Sequence, residues 1–301
     1  MRDSMEINEL ISLTSKYGLT IKEESIHFNE SGLDFLVAFA HDTNDVEWTL
    51  RIPRRPDVFE RTGVEKNVLN LIYKKVPFET PYWEIYEEDL IAYKKLSGVP
   101  AGTIDHSIQN YVWELNHEQI PEQFHQSLAN ILASLHTFSS EEIKNAGLTV
   151  HTAEEARQSM KTRMEKVKQT FGVGDSLWNR WETWLQNDSL WPAQTGLIHG
   201  DVHAGHIMID TDEKAIGLID WTEAKLTDVS VDFVFYYKAF GEDALDKLIH
   251  YYHQADGLYW PGMKEHIIEQ DAAYAVAIAE FAIISGVKEY EQMAKDALEI
   301  K

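Results

Sequence analysis

The sequence has no cysteine, a shortage of basic residues and no long apolar run, and each absence narrows what the chain can be. Without cysteine there is no disulfide, no Cys-ligated zinc and no thiol nucleophile, a composition compatible with a reducing compartment. Lys and Arg number 27 against 50 Asp and Glu, a formal charge of −23. A nucleic-acid groove would have to form against that field, so no nucleic-acid partner is expected. No stretch approaches the ~18 apolar residues of a spanning helix. Residues 1–10 are polar and acidic, unlike the basic start and apolar core of a signal peptide. The expectation is a soluble, cytoplasmic protein with no membrane partner, acting as a monomer.

What is present points to one large domain or two joined lobes: 301 residues with no internal repeat and no low-complexity segment. Residues 6–17 read as a helix closed by Gly18, and residues 26–28, 33–40 and 46–52 have the alternating or β-rich composition of strands. Val64, Val68, Leu71 and Ile72 recur at helical spacing, which predicts one helix over 57–74 ended before Pro77. Residues 83–86 and 90–93 return to strand character. Beyond Lys94 the chain is expected to be largely helical, with helices over 123–138, 152–171, 175–185, 232–240, 244–252, 264–284 and 288–298.

The exception to that helical half is the most informative stretch of the chain. Two apolar strand-like segments, 195–198 and 207–210, enclose a loop carrying His199, Gly200, Asp201, His203 and His206, and a third, 215–219, delivers Asp220 at its end. Phosphoryl transfer needs a carboxylate at the acceptor hydroxyl and ligands for Mg²⁺ close by. Asp201 fits the first role, and Asp220 and His206 the second, although Mg²⁺ prefers oxygen to imidazole. An Asp next to a Gly is also an ordinary turn residue, and the two flanking strands with the downstream Asp220 decide against that reading. A zinc hydrolase is the rival use of this His and Asp cluster, but it lacks a recognised spacing such as His-Glu-x-x-His. His203 has the weakest claim to chemistry and reads as a wall of the cleft.

The pattern His199-x-Asp201-x-x-x-x-His206 with Ile219-Asp220 resembles the catalytic loop and metal-binding segment of the antibiotic and small-molecule kinases of protein-kinase-like fold. Most of that superfamily has Asn where this chain has His206. His-Gly-Asp-x-x-x-Gly-His followed by Ile-Asp-Trp-x-Glu-Ala is similar to the macrolide 2'-phosphotransferases. Gly32-Leu33-Asp34-Phe35, the run from Trp48 to Arg55, and Asp228-x-x-x-Asp232 match in the same order, so the resemblance spans nearly the whole chain.

The resemblance implies an α+β, two-lobed kinase-like fold. Residues 1–95 would form a nucleotide-binding lobe of antiparallel sheet with one main helix, 96–103 a connector, and 104–301 a larger, mostly helical lobe holding the catalytic and acceptor sites. It implies GTP as donor, with ATP the alternative, Mg²⁺ as the metal, and the sugar 2'-hydroxyl of a macrolide such as erythromycin as acceptor. Asp201 becomes the catalytic base, His206 and Asp220 the metal ligands, and His199 and Asp232 supports of the loop. In the first lobe Arg51 stands for the usual Lys, with Arg54 and Arg55 as competitors, and Glu65 would pair with it. Thr49 shares the Arg51 face of its strand and would lie near the base, Tyr93 precedes the base-binding connector, and Gly32 is nearly all that remains of a glycine-rich loop. The apolar, aromatic-rich segments after the motif supply acceptor candidates: Tyr237, Tyr274, Ala275 and Ile278. The rivals are a kinase of an aminoglycoside or another small-molecule hydroxyl, and a catalytically silent nucleotide-binding module.

Overall fold

A computed structural model describes residues 5–29, 34–105 and 110–300. The first lobe is built on strict strand alternation. Strand β1 (His27–Asn29), β2 (Phe35–His41) and β3 (Glu47–Pro53) are joined by β4 (Ile85–Glu87) and β5 (Leu90–Lys94) in one antiparallel sheet of order β1-β2-β3-β5-β4. Leu36, Ala38 and Ala40 of β2 and Trp48, Leu50 and Ile52 of β3 point to one face, where Leu10 of helix α1 (Ile7–Lys16) covers them. Gly18, at φ +79°, then turns the chain out of α1. The opposite face carries Phe35, Val37, Phe39, Thr49 and Arg51, and it is left open toward the second lobe.

The single helix expected over 57–74 is two, α2 (Pro56–Arg61) and α3 (Gly63–Ile72). The break falls at Thr62, whose hydroxyl bonds back to the Phe59 carbonyl at 2.6 Å and lies 3.0 Å from the Tyr86 hydroxyl. A Thr that bonds its own preceding turn competes with the helix ladder. Helix α3 is thereby aimed separately, and it buries Glu65, Val68, Leu69 and Ile72.

The segment expected as a bare connector contains a short strand, β6 (Val99–Pro100), which pairs antiparallel with β10 (Ile207–Ile209). Gly98 precedes it at φ +74°, where an added Cβ would collide with the Ile209 carbonyl. A hairpin that the expected helical pattern did not include follows at once: β7 (Gly102–Asp105) and β8 (Asn110–Trp113). Helices α4 (Glu122–His136), α5 (Ser140–Asn145), α6 (Ala153–Phe171) and α7 (Asp175–Gln186) lead to β9 (Gly196–Ile198). After β10 and β11 (Ala215–Leu218), β12 (Lys225–Thr227) returns to pair with β9. Helix α8 (Val231–Gln254) is bent at Gly241, matching the two helices read from sequence. The helix expected over 264–284 is divided at Ala273 into α9 (Met263–Ala272) and α10 (Tyr274–Ser285), and α11 (Lys288–Ala297) follows.

One large hydrophobic cluster runs through both lobes, from Val68 and Ile72 to Leu128, Leu218 and Phe233. A second is built mainly from α6, α7, α10 and α11, with Ala273 and Leu298 beside them. Beside it a buried polar chain links Trp184, His266, Asp228, Ser230 and Gln270: the indole N–H donates to His266 Nδ1 at 2.9 Å and His266 Nε2 donates to Asp228 at 2.6 Å. Burial alone would raise the Asp228 carboxyl, but His266 and Ser230 hold it below the usual carboxylate range. A depressed carboxyl contributes stability that is present above its unfolded pKa and lost as pH falls through the folded value. Asp228→Asn is therefore expected to flatten the acid-side fall in melting temperature below about pH 4; a melting profile parallel to wild type there would refute the linkage. Among the described residues no helix is long and apolar enough to cross a membrane.

Candidate active site

The loop joining β9 to β10 is anchored from behind by Asp232, near the start of α8. Asp232 Oδ2 accepts the His199 backbone N–H at 2.9 Å and Oδ1 accepts that of Gly200 at 2.7 Å. His136 Nε2 donates to Oδ2 at 3.1 Å, and the Tyr252 hydroxyl, 2.7 Å from His136 Nδ1, completes the support. His136, Asp232 and Tyr252 are all buried, so these bonds are made away from competing water. Gly200 takes φ +89°, and an added Cβ there would sit 2.7 Å from the Glu223 carbonyl oxygen. Only glycine lets the loop turn so close to a neighbouring backbone.

His199 ties this loop to the end of β11. Its Nε2 donates to the Ile219 carbonyl at 3.0 Å and its Nδ1 accepts the Asp201 N–H at 3.2 Å, which fixes one neutral tautomer. Burial pushes its pKa down to about 4, in keeping with a ring that works uncharged. The next residue after Ile219 is Asp220, whose φ of +64° is unusual for a side chain with a Cβ. That turn carries the carboxylate off the strand end toward His206, with Thr222 donating to Oδ1 at 3.0 Å.

His206 Nδ1 donates to the Asp201 backbone carbonyl at 3.0 Å, so the lone pair is on Nε2, 3.8 Å from Asp220 Oδ2. Two ligands each about 2.1 Å from one ion span a distance of this size. The carboxylate oxygen and the oriented imidazole therefore fit a shared divalent cation, and the bond to the Asp201 carbonyl fixes the ring as partners of metal-bound histidines do. Although burial opposes it, Arg51 and the hydrogen bond from Thr222 hold the Asp220 carboxyl below the usual range.

Arg51 crosses the open face of the first sheet to meet Glu65 of α3, Nη1 to Oε1 at 2.8 Å, and its guanidinium lies 4.2 Å from the centroid of Phe35. Burial pushes the Glu65 carboxyl up against the pull of Arg51, and its second oxygen, Oε2, is buried with no hydrogen-bond partner among the described residues. Thr49 stands two residues from Arg51 on the same face and opposite Tyr93 in the sheet register. Burial pushes the Tyr93 phenol up to about 12. Gly32 lies outside the described residues.

Two clefts flank the 201–206 loop. The first, about 590 Å³, lies under the sheet and is lined by Phe35, Thr49, Arg51, Tyr93, Met208 and Ile219 together with His206 and Asp220. The second, about 530 Å³, lies on the other side, between the β7–β8 hairpin and α8; Tyr111, Trp113, His203, Phe235 and Phe240 line it. Asp201 stands between them, its Oδ2 3.4 Å from His206 Nδ1 and 3.8 Å from His203 Nε2. Burial pushes its carboxyl above the ordinary aspartate value.

Of the acceptor candidates, Tyr274 meets Phe235 at 5.8 Å between ring centroids and has Lys238 over its own ring at 4.2 Å. Ala275 is instead enclosed in the α6–α7–α10–α11 core, and Ile278 packs against that core. Tyr237 is half-buried against the large cluster, near Arg180. The hairpin aromatics Tyr111 and Trp113 were not among the sequence candidates. Their signal was a β-rich triplet, Tyr111-Val112-Trp113, following a Gly-led segment of similar character.

A sheet lobe with a buried Arg–Glu pair, a helical lobe, and an Asp-centred loop between two clefts define a small-molecule kinase of protein-kinase-like fold. The comparisons agree. The model of the phosphotransferase enzyme family (APH) matches residues 25–266, and the chain belongs to that family. The uncharacterized protein YcbJ of Bacillus subtilis (strain 168) is 41% identical over 298 residues, covering 99% of this chain and 97% of the relative. The apoenzyme structure of macrolide 2'-phosphotransferase MphH from Brachybacterium faecium superposes with a TM-score of 0.92 at 29% identity, covering 98% of both chains. A structure of macrolide 2'-phosphotransferase type I gives a TM-score of 0.85 at 34% identity, covering 97% of this chain and 96% of the other.

Proposed function

We propose that the protein transfers the γ-phosphoryl group of a nucleoside triphosphate to the sugar 2'-hydroxyl of a macrolide and so inactivates the antibiotic. Residues 1–95 serve as the nucleotide lobe, 96–103 as the connector, and 104–301 as the catalytic and acceptor lobe. Thr49, Tyr93 and the connector flank the base, while Arg51, steadied by Glu65, faces the phosphates. His206 and Asp220 would hold Mg²⁺, which when bound neutralises phosphate charge. Asp201 accepts the hydrogen bond of the acceptor hydroxyl and aligns it for attack; as the new O–P bond forms, the bond from the γ-phosphorus to the β–γ bridging oxygen breaks, the nucleoside diphosphate leaves, and the hydroxyl proton passes to Asp201.

The observation that carries the substrate class is the lining of the second cleft. It is mostly aromatic and aliphatic, with Asn110, His117, His203 and Lys238 as its polar members, and no Asp or Glu is among its described lining residues. An aminoglycoside carries several ammonium groups and needs carboxylates to receive them, whereas a macrolide offers one amine and a large apolar lactone. Binding energy would then come mainly from apolar burial, at about 25 cal/mol per Å², with little dependence on salt. Similarity to the two macrolide 2'-phosphotransferases supports the same choice, and the resemblance in sequence favours GTP over ATP as donor.

The test is mass spectrometry of erythromycin and kanamycin after incubation with enzyme, Mg²⁺ and either GTP or ATP. Erythromycin is expected to gain one phosphoryl group, faster with GTP, and kanamycin to remain unchanged. Phosphorylated kanamycin beside unmodified erythromycin would overturn the substrate class. Preference for ATP would overturn the donor alone.

A further inference from the structure

His203 sits where the two clefts meet, and its hydrogen bonds decide which nitrogen faces Asp201. The Gly205 backbone N–H donates to His203 Nδ1 at 3.0 Å. An amide N–H can only donate, so Nδ1 is the acceptor and the proton resides on Nε2. The Tyr111 hydroxyl, 3.2 Å from the same Nδ1, must then also donate. What remains is Nε2–H, facing Asp201 Oδ2 across 3.8 Å.

The ring is also held sterically. A Cβ on residue 205 would lie 2.8 Å from His203 Cε1 and 3.1 Å from Nδ1, so the imidazole packs directly over Gly205. Phe235 stands T-shaped to it from α8, 6.0 Å between centroids. Asp201, His203 and His206 place potential ligand atoms within 4.8 Å of one another. With its proton on Nε2, however, His203 presents a donor to Asp201 and no lone pair to a cation there.

We propose that His203 is a positioning residue for Asp201: its Nε2–H steadies one carboxylate oxygen so that the other meets the acceptor hydroxyl. Tyr111, on the hairpin that walls the acceptor cleft, and Gly205, beneath the ring, set that donor. The inference rests on the reading of Asp201 as the carboxylate that receives the acceptor hydroxyl. At 3.8 Å the pair is longer than a hydrogen bond, and contacts of this kind tighten as the reacting complex forms.

The experiment is steady-state kinetics with GTP, Mg²⁺ and erythromycin, with a thermal melt for each variant. His203→Phe is expected to lower kcat by at least about tenfold, with the nucleotide KM and the Mg²⁺ requirement within about twofold of wild type. His203→Gln keeps an N–H donor and should recover most of the loss. Gly205→Ala leaves His203 in place but displaces its ring, so it should follow His203→Phe and carries the test if that variant fails to fold. Tyr111→Phe should cost only about two- to fivefold, because the Gly205 N–H still fixes the tautomer. Unchanged kcat in His203→Phe, a rise in acceptor KM alone, or a shifted Mg²⁺ requirement would each overturn the proposal. Asp201→Asn run in parallel separates the two levels. If it retains wild-type turnover, or if wild type leaves erythromycin unmodified, the functional reading itself falls; if it is inactive while His203→Phe is not, only this inference does.

Discussion

Asp201→Asn is expected to lower acceptor phosphorylation by about 10²–10⁴-fold while leaving folding and nucleotide affinity close to wild type. The separation follows from which atoms of this residue do what. Its backbone N–H bonds His199 Nδ1 and its backbone carbonyl receives His206 Nδ1, so the contacts that shape the loop survive the change. Among the described residues the ion-pair partners of the side chain are His206 and His203, at 3.4 and 3.8 Å. Asp201 is also absent from the lining of the cleft that holds Arg51, Thr49, His206 and Asp220. An amide matches the carboxylate in size but has no negative charge with which to receive a proton as the O–P bond forms. Single-turnover phosphorylation of erythromycin, set beside nucleotide titration of the same sample, reads both halves. Near-wild-type turnover would remove Asp201 from the chemistry. A loss of nucleotide affinity equal to the loss of rate would make it part of the nucleotide site instead.

Local chemistry explains which parts of the fold were visible in the sequence. Strands β2 and β3 alternate between the buried Leu36, Ala38, Leu50 and Ile52 and the cleft-facing Val37, Thr49 and Arg51, a period that only an extended chain displays. The placement of Thr49 and Arg51 on one face followed from it directly. Asp201, His206 and Asp220 were visible because short apolar strands frame them. The β7–β8 hairpin was not visible, since each strand has four residues and Gly102 at its base packs against Ala204 of the loop, a contact distant in sequence. The break at Thr62 depends in part on a contact with Tyr86, again distant in sequence. The acceptor candidates show a different limit. Helical spacing of Tyr274, Ala275 and Ile278 announces apolar positions but not what they face, and Ala275 faces a core. His203 looked like a passive wall because a histidine's role depends on the tautomer, and here that is set by one backbone N–H and one hydroxyl.

Replacing Asp232 is the change expected to do most damage without touching a substrate. Its carboxylate receives the N–H groups of His199 and Gly200 and the Nε2–H of His136, three donors on two oxygens in a buried setting. Asp232→Ala leaves all three without their acceptor. Leaving a buried donor unsatisfied costs about 1–3 kcal/mol, so three of them amount to a large share of the stability of most domains. Asp232→Asn retains one acceptor oxygen but turns an NH₂ group toward an N–H donor, so it should fall between wild type and Ala. The loss should reach the chemistry as well. The His199 and Gly200 amides fix the loop backbone immediately before Asp201, and a displacement of about 1 Å in a reacting group can cost 10²-fold in rate. Denaturant unfolding should therefore order the three proteins wild type, Asn, Ala, and turnover measured well below each unfolding midpoint should follow the same order with nucleotide affinity changing least. If Asp232→Ala were as stable as wild type, the anchoring role would be lost. If it were destabilised yet turned over normally while folded, Asp232 would hold the lobe together without positioning Asp201.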